Sequence, residues 1–105
     1  MFRQGDILIV PQPEQSVPAH LLTRESDPRD ARGRLVLALG EATGHAHAVP
    51  GPGRLLTDPS GTWLHLPPGG RLVHEEHDPI TLPAGWFRVV RQREYIPGAY
   101  RYVAD

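Results

Sequence analysis

The chain has no cysteine, no lysine, one methionine and few aromatic residues. Without cysteine there can be neither a disulfide nor a thiolate metal site, so any metal ion must be held by His, Asp or Glu. All eleven cations are arginine, and the net charge of −1 supplies no general attraction to nucleic acid or anionic membranes. No apolar run approaches the roughly 20 residues that span a bilayer. The start, Met1-Phe2-Arg3-Gln4-Gly5-Asp6, is charged and turn-like with no signal-peptide core, so a soluble, cytoplasmic protein without a membrane partner is expected. A glycine-rich phosphate loop and a Gly-x-Ser-x-Gly nucleophile turn are also missing.

Proline and glycine are abundant instead, at twelve and eleven of 105 residues. That is too many for a helical bundle, but the apolar runs between them are too regular for disorder. Ile7-Leu8-Ile9-Val10, between Gly5-Asp6 and Pro11, reads as a buried first strand. Residues 11–33 read as a long irregular loop with one short turn at Ala19 to Leu22, and such a loop suits a covering flap, a partner-binding segment or a simply mobile stretch. From residue 34 onward strands follow one another. The best hairpin joins Arg54 to Thr57 with Thr62 to Leu66 through Asp58-Pro59-Ser60-Gly61. Further strands are expected over Arg71 to His77 and, as the longest, Trp86 to Tyr95. About eight or nine short strands separated by turn residues indicate one all-β domain, 1–105, built as a sandwich or small β-barrel.

Histidine is placed unevenly in this pattern. Four of the six histidines fall in Gly44-His45-Ala46-His47 and His74-Glu75-Glu76-His77. On a strand, His45 and His47 point to one side, roughly 7 Å apart at Cα, and two imidazoles so placed can converge on one ion. If Arg71 to His77 is a strand, alternation groups His74 with Glu76, while His77 stands at the strand end beside the Asp78-Pro79 turn. His45, His47 and His74 are therefore the candidate ligands of a divalent metal ion, with Glu76 or His77 as fourth ligand or catalytic base. Zinc, iron or manganese all suit a His/carboxylate set. A small polar substrate acted on by metal-activated water or dioxygen is the chemistry such a site suggests. A metal-free His/Glu acid–base cluster is the rival, because imidazole titrates near neutral pH.

His-x-His on a small β-barrel resembles the cupins. That family's first motif has a glycine, a spacer, His-x-His and a glutamate; its second has Pro-x-Gly followed by a histidine. Gly40, His45-Ala46-His47 and Pro83-Ala84-Gly85 match parts of these. Pro50-Gly51-Pro52-Gly53 occupies the glutamate stretch, and Arg88 stands at the final histidine, so His74, Glu76 or His77 would substitute. The resemblance implies a double-stranded β-helix or similar barrel around a divalent metal. Gly40-to-His47, His-Glu-Glu-His and Arg91-Gln92-Arg93-Glu94-Tyr95 together also resemble a group of small bacterial proteins to which no activity is assigned.

Two other functions fit the residues. A non-catalytic interaction or assembly module could present a strand edge or residues 11–33 to a protein, and a homodimer would cover the edges of so small a chain. RNA binding through Arg91, Arg93, Tyr95, Tyr100, Arg101 and Tyr102 is the third, since arginines interleaved with aromatics stack bases and contact phosphates. Gly5-Asp6 reads as a turn signal without chemistry.

Overall fold

The computed structural model describes residues 1–40, 44–96 and 99–102, with side chains through Gln92. Glu41, expected from the sequence on a turn leading into His45, lies outside the described residues. The structure is predominantly β. Along the chain run β1 (Phe2–Gln4), β2 (Ile7–Gln12), a 3-10 turn (Glu14–Ser16), the single helical turn α1 (Ala19–Leu22), β3 (Leu35–Leu39) and β4 (Ala46–Val49). Then come β5 (Arg54–Asp58), β6 (Gly61–Leu66), β7 (Gly70–Leu72), β8 (Ile80–Leu82), β9 (Gly85–Arg91), β10 (Arg93–Ile96) and β11 (Ala99–Tyr102). Among the described residues no helix is long and apolar enough to cross a membrane.

Five strands form one antiparallel sheet in the order β1-β2-β9-β6-β5. The hairpins β3–β4 and β7–β8 are joined to each other by an antiparallel bridge between Ala48 and Val73. Alternation explains how they meet. Ile7 and Ile9 of β2 are fully buried while Leu8 and Val10 are half-exposed. The buried pair packs with Phe87, Leu64, Leu66, Leu35, Val49, Leu72 and Leu82 in one core shared by the sheet and both hairpins. Each such side chain contributes roughly 1.5–3 kcal/mol on burial.

Residues 11–33 cover the part of the opposite face around the two tryptophans. Val17 and Leu21 sit on Leu56, Trp63 and Trp86, which accounts for both tryptophans being buried. This segment has little regular backbone pairing of its own, so arginine forks satisfy its carbonyls. Arg54 donates to the carbonyls of Arg24 (2.7 Å) and Leu22 (3.0 Å), and Arg29 donates to those of Gly33 and Gly51, both at 2.8 Å. Much of the arginine content is thus structural.

Three expectations need correction. The described sheets do not close into a barrel: β1 pairs only with β2 and β5 only with β6, and the two hairpins are too short, with β7 and β8 three residues each, to continue hydrogen bonding around the core. The expected strand Arg71 to His77 stops at Leu72, with one bridge at Val73, and 74–77 is a bend. The expected strand Trp86 to Tyr95 breaks at Gln92, whose N–H donates to the Asp6 carbonyl at 2.7 Å, and a separate β10–β11 hairpin follows. The Asp58–Gly61 hairpin forms as expected, with Asp58 Oδ1 accepting the Ser60 N–H at 2.8 Å.

Candidate functional site

His45 precedes β4 and His47 lies within it, two residues apart, so both side chains leave the same face. β4 pairs through Ala48 with Val73, which sets the 74–77 bend beside them. In that bend His74 Nδ1 accepts the backbone N–H of Glu76 (3.0 Å) and of His77 (3.3 Å). The turn thereby swings His77 toward His47 and leaves Glu76 exposed, where strand alternation would have grouped Glu76 with His74.

The four imidazoles gather around His74. Its ring centroid lies 4.4 Å from that of His47, 4.6 Å from His77 and 5.6 Å from His45. His47 and His77 are near-parallel, 6.0 Å apart. At the rim, His45 Nδ1 is 2.9 Å from Glu76 Oε1, and Glu75 Oε2 accepts the Ala46 N–H at 3.0 Å. That bond, first among its causes, holds the Glu75 carboxyl below its usual range.

Beneath the rim lies a fully buried pair. His47 and Asp6 have no solvent exposure, and His47 Nε2 is 3.3 Å from Asp6 Oδ1. The other ring nitrogen of His47, Nδ1, meets Gln4 Oε1 at 2.9 Å. The Gln4 amide is oriented by its nitrogen, which donates to the carbonyls of Leu72 (3.1 Å) and Asp78 (2.9 Å). Its oxygen must therefore accept, which makes His47 Nδ1 the protonated nitrogen and gives Nε2 the lone pair in the neutral ring. Asp6 Oδ2 accepts from Arg91 Nε at 2.6 Å, which places a guanidinium against the buried carboxyl group. Burial first, then the charge His74 would carry, pushes the His47 pKa from 6.5 down to about 4, against the pull of Asp6.

Gly5 makes room for this arrangement. Its φ of +57° is left-handed, and a Cβ there would stand 2.7 Å from His77 Nε2 and 3.1 Å from His47 Cε1. His77 Nε2 is itself buried and has no hydrogen-bond partner among the described residues. Among the described residues, no group of three or more His, Asp or Glu is arranged to hold a metal ion as it stands. His74 contributes to this: it fills the middle of the cluster, and with Nδ1 accepting two N–H groups, its proton belongs on Nε2, which then offers no lone pair.

The structure thus brings together all four histidines singled out from the sequence, with Glu76 at the edge. Gln4, Asp6 and Arg91 were missed as site residues. Gln4 was traceable, because in β1 it shares a face with Phe2, which packs on the core. Arg91 likewise shares a face with Phe87 of β9. Asp6 was not traceable, since the left-handed Gly5 breaks the alternation that would have placed it. His65 stands apart from the cluster, stacked on Trp86 at 4.1 Å with its Nδ1 3.1 Å from Arg54 Nη2. Of the arginine and tyrosine set weighed for RNA, Arg91 is bound to Asp6, and the side chains of Arg93, Tyr95, Tyr100, Arg101 and Tyr102 lie outside the described residues.

Residues 3–92 match the model of a family described as a domain of unknown function, DUF8820. Neither a curated protein nor a solved structure matches the chain.

Proposed function

We propose that this chain, which belongs to the DUF8820 family, binds a divalent metal ion between β1–β2, β4 and the 74–77 bend, to act on a small polar substrate. The observation that carries the reading is the face-to-face placement of His47 Nε2 and Asp6 Oδ1, 3.3 Å apart. Two acceptors so placed repel when the imidazole is neutral, and a cation between them reverses the sign. Donors each about 2.0–2.1 Å from a tetrahedral zinc ion are about 3.4 Å apart, close to this spacing. Gln4 supplies the outer support typical of a metal-bound histidine, holding the far ring nitrogen and fixing the tautomer.

His47 and Asp6 would be two ligands, and His77 Nε2, over Gly5, the third. His45 or His74 would complete the set, and His74 would have to release its backbone N–H bonds or its Nε2 proton to do so. Such reorganisation is what the present spacing of the donors requires. A bound ion would lower the pKa of a coordinated water and polarise a substrate oxygen. Glu76, exposed next to His45, is placed to exchange protons with solvent.

A second reading has its own support. His74 carries its proton on Nε2 at the centre of the cluster, against His47, which in turn meets the buried Asp6, and this also describes a metal-free acid–base network. Metal analysis of protein purified without an affinity tag, followed by zinc, iron(II) and manganese titration, separates the two. The metal reading expects about one equivalent of one ion, lost in His47→Gln and in His77→Gln. Substoichiometric metal that neither substitution changes would rule it out in favour of the acid–base network.

A further inference from the structure

His74 belongs to two features at once. Besides its place in the cluster, it lines an open pocket of about 170 Å³ together with Arg32, Arg34, Val73 and Glu75. The two arginines are set there by Asp30. Its Oδ1 accepts the backbone N–H of Arg32 (3.0 Å) and Arg34 (2.8 Å), and its Oδ2 pairs with the Arg34 guanidinium at 2.9 Å. Arg32 is exposed, and its guanidinium forms no ion pair with the described residues.

Charge and size together limit what can bind. Arg34 is paired with Asp30 and the Glu75 Oε2 is already turned to the Ala46 N–H, so Arg32 is the uncommitted charge at the pocket. The volume corresponds to roughly five or six water molecules at about 30 Å³ each. It is below the roughly 300–1,000 Å³ of pockets that take drug-sized ligands. A nucleotide is therefore too large, whereas one phosphate or a short carboxylate fits.

We infer that this pocket binds a small oxyanion, a phosphate or carboxylate group, between Arg32 and Arg34. Arg32 supplies the uncommitted fork, and Arg34, its charge shared with Asp30, a guanidinium fixed in position whose remaining N–H groups can donate. Because His74 lines the pocket and its ring also packs on His47, 4.4 Å between centroids, the bound group lies beside the cluster. Its role as the substrate's anionic handle rests on the reading of the cluster as the reacting site, but its binding does not.

The test is an NMR titration of EDTA-treated, full-length protein with inorganic phosphate in one arm and succinate in the other, followed at the arginine Nε–H groups and the Glu75 amide. Saturable shifts are expected with at least one probe, and the stronger arm identifies the source of the oxyanion. Arg32→Gln should weaken binding about tenfold or more, and Arg32→Glu should abolish it. Since Arg32 makes no side-chain contact that folding needs, these variants keep the fold, which their amide spectra would verify. Arg34→Lys, which keeps the charge and loses the fork, should weaken binding less than Arg32→Glu. No saturation up to about 10 mM of either probe, or unchanged binding in Arg32→Glu, would overturn the inference. If phosphate binds and zinc does not, the pocket stands and the metal reading falls; if zinc binds and neither oxyanion does, the pocket alone falls.

Discussion

Gln4→Leu removes three hydrogen bonds with a side chain of similar volume, and so isolates the support beneath His47. The Gln4 amide, only 3% exposed, donates to the carbonyls of Leu72 and Asp78 and accepts from His47 Nδ1. Asp78 is an exposed residue, so its carbonyl can recover a bond from water. The Leu72 carbonyl and the His47 N–H, both on fully buried residues, cannot. Leaving two such groups unsatisfied costs roughly 1–3 kcal/mol each, and allowing for the apolar gain of leucine, the loss should be about 2–4 kcal/mol. For a domain of this size that lowers Tm by roughly 10–25 °C. Urea unfolding followed through the buried Trp63 and Trp86 would measure it, and a zinc titration of the same variant should show about 10–100-fold weaker binding. A stability loss below about 1 kcal/mol together with unchanged zinc affinity would refute the claim that Gln4 holds His47 in place.

Gly5→Ala should be costly in two ways: about 1–2 kcal/mol for a left-handed alanine, and displacement of His77 by the new Cβ. Zinc affinity should fall along with stability, and an effect on stability alone would separate Gly5 from the site. Leu21→Ala should cost about 2–5 kcal/mol, because fully buried Leu21 anchors residues 11–33 over the tryptophans; a red-shifted tryptophan emission with zinc binding intact is the expected signature. The metal-free protein should lose stability on mild acidification. His47 titrates at about 4 when folded against 6.5 as the reference value, so the unfolded chain binds more protons between these values. Stability is then complete above about pH 6.5 and falls by up to about 3 kcal/mol toward pH 4. His47→Gln should flatten that part of a pH-dependent urea series.

Much of the β content and the membership of the histidine cluster could be read in the sequence, because both rest on local alternation. Ile7 and Ile9 point inward, and His45 and His47 leave one face, for the same geometric reason. Alternation failed where the backbone departs from a strand. In the 74–77 bend a histidine ring caps two backbone N–H groups, so His77 turns toward His47 and Glu76 toward solvent. At Gly5 the left-handed turn sends Asp6 into the interior, so a residue that looks like turn punctuation becomes the buried partner of His47 and Arg91. The open ends of the sheet depend on which strands pair across long separations, and no single strand's sequence carries that. The role of residues 11–33 was similarly hidden, since its arginine forks reach carbonyls far along the chain.

In the proposed metal site, His47 would direct the lone pair of Nε2 at Asp6, with the cation between them. Long-range proton–nitrogen NMR of the imidazole rings reads this directly. In metal-free protein near neutral pH, His47 should carry its proton on Nδ1 and none on Nε2, and one equivalent of zinc should shift the Nε2 resonances of His47 and His77 together. A proton on His47 Nε2, or ring nitrogens that ignore zinc, would contradict it.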